Sequence, residues 1–182
     1  MPENERAPDT YKVRLNTTKG DVVLQVNRAW APNGADRFYN LVKTGFYDDA
    51  RFFRVLYNFV AQFGLKGDPD VDRVWSEAII RDDPVTQPNR TGTITFAKSG
   101  PNSRTTQVFI NLRDNMQLDS DGFAPFGRVI EGMDAVGLLY KGYGDAPPNG
   151  NGPDQLRIRM QGNEYLERDF SRLDYIRKAT IE

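Results

Sequence analysis

Hydrophobic and polar residues alternate in several short stretches of this 182-residue chain. Alternation with a period of two, rich in β-branched and aromatic residues and bounded by turn residues, is typical of strands with one buried face. The residues NTTKG at positions 16–20 favour a hairpin between the first two stretches. The predicted strands are residues 11–15, 21–26, 51–56, 59–65, 91–97, 107–112, 125–130 and 175–181.

Two other stretches follow the helical period. Residues 32–44 begin with Pro32, which suits the first turn of a helix, and they are followed by Gly45, which can end one. Their apolar residues recur at spacings of three and four, so one face of this helix is predicted to be buried. Residues 133–141 show the same pattern more briefly and predict a second helix.

The remaining stretches are harder to interpret. Residues 154–160 alternate like a strand, but the residues around them favour a helix, which is the interpretation we prefer. Residues 68–84, which are acidic and contain two prolines, and residues 142–153, which are rich in Gly, Pro and Asn, are predicted to be loops. Many strands with two or three helices that do not alternate with them indicate a mainly β barrel or sandwich.

The composition is that of one ordinary globular domain. Hydrophobic residues make up 38% of the chain and charged residues 27%, which excludes a disordered composition. The net charge of −1 gives no support to a nucleic-acid partner, and no apolar stretch is long enough to span a membrane. We expect residues 1–10, which are polar, to form a disordered arm and residues 11–182 to form the single domain.

The chain contains no histidine and no cysteine. This excludes Ser-His-Asp and Cys-His catalysis, thiol redox chemistry and zinc sites built on these residues. The sequence DSDG at 119–122 resembles part of a calcium loop, but the twelfth position would be Arg128 instead of a carboxylate. We therefore expect no metal and no cofactor, and a reaction that needs no proton transfer near neutral pH becomes more plausible.

One hydrophobic run contains an unusual cation. The sequence RFFRVLYNFVAQFG at 51–64 has nine apolar or aromatic residues among fourteen, and Arg54 and Gln62 lie within it. A buried guanidinium is costly unless it is paired or hydrogen-bonded, although an arginine at the wet edge of a strand costs little. Arg54 is either such an edge residue or a donor placed on an apolar floor.

Three ordered motifs carry a resemblance to a known family. They are FRVLYNFVAQFGLKGDP at 53–69, TGTITFAKSGPNSRTTQVFINL at 91–112, and NMQLDSDGFAPFGRVIEGMD at 115–134. In order and nearly in spacing they resemble the cyclophilin patterns FHRV-x-x-x-F-x-x-QGGD, A-x-x-GP-x-x-x-x-SQFFI and FG-x-V-x-x-GM. The resemblance covers about residues 11–143 and the last strand. It implies a closed eight-stranded antiparallel barrel capped by two helices, with an extra C-terminal segment.

The resemblance implies a peptidyl-prolyl cis-trans isomerase of the bacterial type. Arg54 would donate a hydrogen bond to the proline nitrogen in the twisted transition state, and Gln62 would hold the guanidinium or the substrate backbone. The other residues that match the family's site would bind substrate. They are Phe59, Val60, Ala97, Lys98, Gln107, Phe109, Leu118 and Phe123.

The chain departs from the family at several of these positions. Gln117 stands where many members carry tryptophan, which implies weak binding of cyclosporin. Phe123 aligns with a histidine, so this position keeps a ring at the pocket wall but loses a polar edge. Lys98 replaces an asparagine that acts largely through its backbone, and Val60 replaces a methionine. The block at 161–179 is absent from the common pattern, and we expect it to cap the barrel by packing.

Two alternatives remain open at this stage. The chain could be a peptide-binding module without catalysis, or an unrelated hydrolase that uses paired carboxylates. For an isomerase we expect proline-containing peptides and unfolded proteins as partners, and a monomer. The polar N-terminus lacks the apolar core of a signal peptide, which favours the cytoplasm, or an exported protein if a signal segment was removed.

Overall fold

Eight antiparallel strands form one curled sheet in the computed structural model, which describes residues 4–182. The order of the strands across the sheet is β3-β4-β6-β5-β7-β2-β1-β8. The mainly β fold predicted from the alternation is thus confirmed. The strands are β1 Thr10–Thr17, β2 Gly20–Asn27, β3 Arg54–Leu56, β4 Val60–Phe63, β5 Thr93–Phe96, β6 Val108–Asn111, β7 Pro125–Glu131 and β8 Ile176–Ile181.

The two edges of the sheet meet beside β3 and β8. Arg51 and Tyr175 form a single antiparallel bridge there. The amide of Phe52 donates to the carbonyl of Asp174 at 2.9 Å, and the amide of Ile176 donates to the carbonyl of Ala50 at 3.0 Å. The sheet therefore closes through a short seam of backbone hydrogen bonds instead of a full ladder between β3 and β8.

The interior of the curled sheet is apolar. In β1 the buried positions alternate with solvent-facing ones, as the sequence pattern predicts. Several large aromatic side chains are fully buried, and Phe38, Phe96 and Phe126 pack with ring centroids 5.1 Å apart in each neighbouring pair. Phe38 comes from the first helix, so that helix covers the interior and contributes to the main core.

Six α-helices accompany the sheet within residues 4–182, more than the two or three helices that the sequence predicts. The first agrees closely with the predicted residues 32–44, and the fourth ends at Gly137, four residues before the predicted end. The helix favoured for residues 154–160 is confirmed by the fifth. The helices are α1 Pro32–Lys43, α2 Pro69–Ser76, α3 Gln117–Ser120, α4 Met133–Gly137, α5 Gln155–Gln161 and α6 Asn163–Asp169.

Helix α2 corrects the prediction that residues 68–84 form a loop. The side chain of Asp68 caps this helix by accepting from the amide of Asp70 at 3.1 Å, and Pro69 occupies the first turn. Both are ordinary start signals of a helix, but the prolines and acidic residues of this stretch indicate a loop when they are taken by composition alone. Trp75 is buried and anchors the helix to the main core.

The predicted disordered arm is also corrected for residues 4–10. The amide of Glu5 donates to the Asn40 side chain at 3.0 Å, and the amide of Ala7 donates to Asp36 at 2.9 Å. Ala7 is buried in the core, and these contacts tie the stretch to α1. Residues 1–3 of the predicted arm lie outside the described residues.

A second, smaller core holds the C-terminal helices against the sheet. Phe53 and Leu65, which flank β3 and β4, pack there with Ile158 of α5 and with Tyr165 and Leu166 of α6. Because Phe53 directly precedes Arg54, this packing brings α5 close to the residues that the motifs single out. None of the helices in residues 4–182 has the length and apolar character needed to cross a bilayer.

Candidate active site

Strand pairing places the predicted catalytic residues side by side. Arg54 of β3 lies opposite Gln62 of β4, and Gln62 lies opposite Phe109 of β6. Residues that are opposite in neighbouring strands share one face of a sheet. Arg54, Gln62 and Phe109 therefore form one row, which we call the strand row.

The strand row lies on the outer face of the sheet. The adjacent row contains Val55, Ala61 and Ile110, which are paired in the same way and belong to the main core. Since side chains alternate between the two faces of a strand, the strand row points away from the core. This explains why Arg54 and Gln62 occur in the apolar run at 51–64.

A chain of hydrogen bonds joins the polar side chains of the site. Arg54 Nη1 donates to Gln62 Oε1 at 2.9 Å, and Gln62 Nε2 donates to Gln107 Oε1 at 2.8 Å. Gln107 Nε2 in turn donates to Oε1 of Gln155 at 3.0 Å. Gln62 is only 5% exposed, so its amide is held in one orientation by partners on both sides.

A cavity of about 300 Å³ opens beside this chain. Nine of the ten predicted site residues line it, and the tenth, Gln107, lines an adjoining cavity of about 200 Å³. None of the residues that line the larger cavity, among residues 4–182, carries a carboxylate. Its lining residues are Arg54, Phe59, Val60, Gln62, Ala97, Lys98, Phe109, Leu118, Phe123 and Gln155.

Aromatic rings form one wall of the larger cavity. Phe109 and Phe123 meet edge to face, with centroids 5.9 Å apart and planes at 70°. The ammonium of Lys98 lies 5.4 Å from the centre of the Phe123 ring and 3.6 Å from a carboxylate oxygen of Asp82. The Lys98 side chain thus packs on the wall, in addition to the backbone role that the resemblance implies. This wall is apolar with a cation at its edge.

Backbone contacts fix the position of Phe59. The carbonyl of Phe59 accepts from the amide of Leu112 at 2.9 Å and from the side chain of Asn115 at 3.0 Å. Asn58, just before it, has a φ of 52°, a turn conformation that asparagine tolerates. The chain therefore turns tightly between β3 and β4 and directs Phe59 to the cavity.

The sequence prediction missed two residues that touch the predicted ones. Asp145 pairs with Arg54, with Oδ1 2.9 Å from Nε and Oδ2 3.2 Å from Nη2. Gln155, the first residue of α5, bonds to Gln107 and lines both cavities. Both residues belong to residues 142–161, which we call the 142–161 segment. An arginine in an apolar run indicates that an acidic partner is needed, but the sequence does not identify which acidic residue pairs with Arg54.

The pKa of Asp145 reflects this pairing. Hydrogen bonds from the Arg54 guanidinium hold the pKa of the Asp145 carboxyl below the usual value for aspartate. The two side chains are 27% and 24% exposed, so solvent screens the pair less than it screens a surface ion pair. Asp145 is therefore ionised throughout the neutral range.

Comparison with known proteins points to one family. The family model described as "Cyclophilin type peptidyl-prolyl cis-trans isomerase/CLD" matches residues 12–160. The chain is 36% identical over 136 residues to the peptidyl-prolyl cis-trans isomerase cyp18 of Streptomyces antibioticus, covering 70% of this chain and 81% of that protein. It is 34% identical over 129 residues to a peptidyl-prolyl cis-trans isomerase of Acinetobacter baylyi, covering 68% and 69%.

Solved structures show the same fold. A cyclophilin type peptidyl-prolyl cis-trans isomerase of Cryptosporidium parvum superimposes with a TM-score of 0.70, covering 95% of this chain and 98% of that one at 21% identity. A second structure of that protein, in the presence of the dipeptide Ala-Pro, gives a TM-score of 0.69. At this identity the likeness concerns the fold alone.

Proposed function

Because the chain belongs to the family of cyclophilin-type peptidyl-prolyl cis-trans isomerases, we propose that Arg54 supplies the catalytic hydrogen bond of this isomerase. One observation carries the proposal. The Arg54 guanidinium borders the cavity of about 300 Å³ that is walled by Phe109 and Phe123. A hydrogen-bond donor beside a cavity with an aromatic wall and room for a proline ring supports this role.

The reaction is limited by the resonance of the amide bond. Rotation about an X-Pro bond faces a barrier of roughly 18–20 kcal/mol, and no covalent bond is made or broken. In the twisted transition state the nitrogen regains its lone pair and can accept a hydrogen bond, which it cannot do while the amide is planar. A donor aimed at this nitrogen stabilises the transition state more than the ground state, and this difference is what accelerates a reaction.

Arginine suits this role for two physical reasons. Its guanidinium stays charged at all physiological pH values, so the donor is always present. The partly buried position beside phenylalanine rings lowers the local dielectric and strengthens the hydrogen bond. Gln62, which accepts from Nη1 of Arg54, holds the guanidinium in place.

The rest of the cavity binds the substrate in this proposal. Phe59, Val60, Phe109, Leu118 and Phe123 surround the proline ring. Ala97 and the backbone at Lys98 contact the peptide chain, and Gln107 binds it through the amide hydrogen that its bond to Gln155 leaves available. These residues line the two adjoining cavities, which supports the assignment.

We propose proline-containing peptides and exposed X-Pro segments of unfolded proteins as substrates, and a monomer as the working form. We also propose weak binding of cyclosporin, because Gln117 replaces the tryptophan that many family members carry and does not line the cavity. The presence of the dipeptide Ala-Pro with the Cryptosporidium parvum relative makes a short X-Pro peptide a suitable first probe.

The test is the cis-to-trans rate of a short X-Pro peptide, measured without a coupling protease for wild type and Arg54→Ala. Loss of one well-placed transition-state donor should lower kcat/KM on the order of 10²–10³-fold. Arg73→Ala is the matched control, because Arg73 is an exposed arginine on α2, away from the cavity. A folded wild type that binds proline peptides without accelerating exchange would support a binding module instead.

A further inference from the structure

The 142–161 segment brings a carboxylate to the proposed catalytic arginine. Asp145 engages the Nε and Nη2 side of the guanidinium, with oxygens at 2.9 and 3.2 Å, while Gln62 engages Nη1 at 2.9 Å. A two-point contact between a carboxylate and a guanidinium fixes the plane of the guanidinium as well as its position. Arg54 is thus held from two sides, by a residue of the strand row and by a residue outside the sheet.

These contacts leave part of the guanidinium available. An arginine side chain carries five N–H groups, and Asp145 and Gln62 accept from three of them. Among the described residues that line the larger cavity, Arg54 is present and Asp145 is absent. The carboxylate therefore approaches the guanidinium from outside the cavity, and the remaining N–H groups can serve a substrate.

The loop that carries Asp145 holds the carboxylate in place. The amide of Ala146 donates to Asp145 Oδ1 at 2.8 Å, and the amide of Gly152 donates to the carbonyl of Asp145 at 2.8 Å. A Cβ at Gly150 would overlap the backbone of Asp145, so the loop folds tightly around this residue. Asp145 is consequently a fixed partner of Arg54 and not a mobile surface acid.

The far end of the same segment reaches the other end of the hydrogen-bond chain. Asp154 caps α5 by accepting from the amide of Arg157 at 3.2 Å, which sets where the helix starts. Gln155, at that start, accepts from Gln107 at 3.0 Å. The 142–161 segment thus contacts both Arg54 and Gln107, the two neighbours of Gln62 in the hydrogen-bond chain.

We propose that Asp145 is a positioning residue of this isomerase: it acts through Arg54, by fixing the guanidinium so that its free N–H groups point at the proline nitrogen. The role rests on the proposed catalytic function of Arg54. Asp145 does not touch the substrate. Without the Asp145 carboxylate, Gln62 alone holds the guanidinium. The guanidinium can then rotate, so its free N–H groups no longer point at the proline nitrogen.

The test compares kcat, KM and peptide affinity in wild type, Asp145→Asn and Asp145→Glu. A small misplacement of a catalytic group costs up to about 100-fold, and one of the two anchors of Arg54 stays, so we expect kcat to fall about 10-fold in Asp145→Asn. The dissociation constant for a proline peptide should change less than about twofold, because Asp145 lies outside the cavity. Asp145→Glu keeps the charge and should retain more of the wild-type kcat than Asp145→Asn does.

A double mutant separates a positioning role from a general structural one. In the Arg54→Ala background, Asp145→Asn should change the residual rate less than about twofold, because the guanidinium through which Asp145 acts is absent. Asp169→Asn removes an exposed carboxylate that pairs with Arg168 and is the matched control. An unchanged or raised kcat in Asp145→Asn, or an equal loss in both backgrounds, would overturn the proposal. A wild type without isomerase activity would instead overturn the proposed function.

Discussion

Gln62 in the strand row and Asp145 in the 142–161 segment bind the same Arg54 guanidinium from differently built parts of the molecule. In the strand row, Gln62 stands opposite Arg54 because β3 and β4 are paired by backbone hydrogen bonds. Asp145 has no such ladder behind it and reaches Arg54 across 91 positions of sequence, from a loop folded on itself. The first arrangement is as stable as the sheet, whereas the second depends on a few side-chain contacts and on one small loop.

This difference separates two tasks within one site. The sheet supplies the proposed donor Arg54, its amide partner Gln62 and Phe109, so any change that keeps the sheet keeps these groups together. The segment supplies the second anchor of the guanidinium and closes the hydrogen-bond chain at Gln107. We therefore expect changes in the sheet to affect stability and activity together, and changes in the segment to affect activity with a smaller loss of stability.

The largest expected effect on stability comes from a substitution at the end of β4. Gly64 has a φ of 121°, and a Cβ there would overlap the backbone of Thr106 and Gln107. Overpacking against backbone and a strained φ together should lower the free energy of unfolding of Gly64→Ala by about 2–4 kcal/mol. Displacement of Gln107 should also reduce isomerase activity, and urea unfolding with a rate assay measures both.

A glycine of the segment provides the comparison. Gly150→Ala would push on the backbone of Asp145, so we expect its kcat to fall toward that of Asp145→Asn while the free energy of unfolding falls by less than about 2 kcal/mol. Gly137→Ala is the control, because a Cβ there meets no atom within 4 Å. If Gly150→Ala destabilises the protein as much as Gly64→Ala does, the segment is as integral to the fold as the sheet.

A smaller effect is expected at the other end of the segment. Gln155→Ala removes one hydrogen bond to Gln107, a contact worth about 1 kcal/mol, which corresponds to roughly a fivefold change in rate or affinity. Because Gln155 lines both cavities, the change should appear in KM more than in kcat. Gln161→Ala, at the exposed end of α5, controls for helix propensity. A fall in kcat with unchanged KM would contradict this assignment.

We expect the isomerase kcat/KM to be independent of pH between 5 and 8. The chain has no histidine, and an arginine guanidinium carries its charge throughout this range. The pKa of Asp145 is lowered in the folded protein by its bonds to Arg54, so this pair stabilises the fold above the unfolded pKa of about 3.9 and loses that contribution as pH falls through the folded value. Asp72, whose pKa is raised by burial, lies on α2 and does not line the larger cavity.

The measurement is kcat/KM against pH, with circular dichroism to confirm the fold at each point. A flat profile agrees with a donor that does not titrate. A bell-shaped profile in this range would indicate a carboxylate acting as acid or base and would contradict a mechanism that rests on the Arg54 donor alone.

The strand row could be predicted from the sequence because its residues lie in motifs of fixed spacing. Once the strands are aligned, the register brings Arg54, Gln62 and Phe109 together without further information. The segment could not be predicted in this way. Its composition indicates a loop, and nothing in a Gly- and Pro-rich stretch specifies which residue meets Arg54, because a tertiary fold decides that.

The errors in secondary structure have a related cause. The prolines and acidic residues of 68–84 indicate a loop, although Asp68 and Pro69 are the cap and the first turn of α2. Residues 4–10 look disordered by composition, yet their backbone bonds to Asn40 and Asp36 of α1. In both cases a few specific contacts outweigh the average character of the segment.

In the proposed mechanism, Arg54 accelerates the rotation step itself rather than the binding of the peptide. The most direct measurement is the on-enzyme cis-trans exchange rate of a bound X-Pro peptide, by NMR exchange spectroscopy, in wild type and Arg54→Ala. If Arg54 stabilises the twisted amide, its replacement should lower the on-enzyme rate on the order of 100-fold or more, while the dissociation constant changes far less. An on-enzyme rate that survives in Arg54→Ala, with the loss confined to affinity, would contradict it.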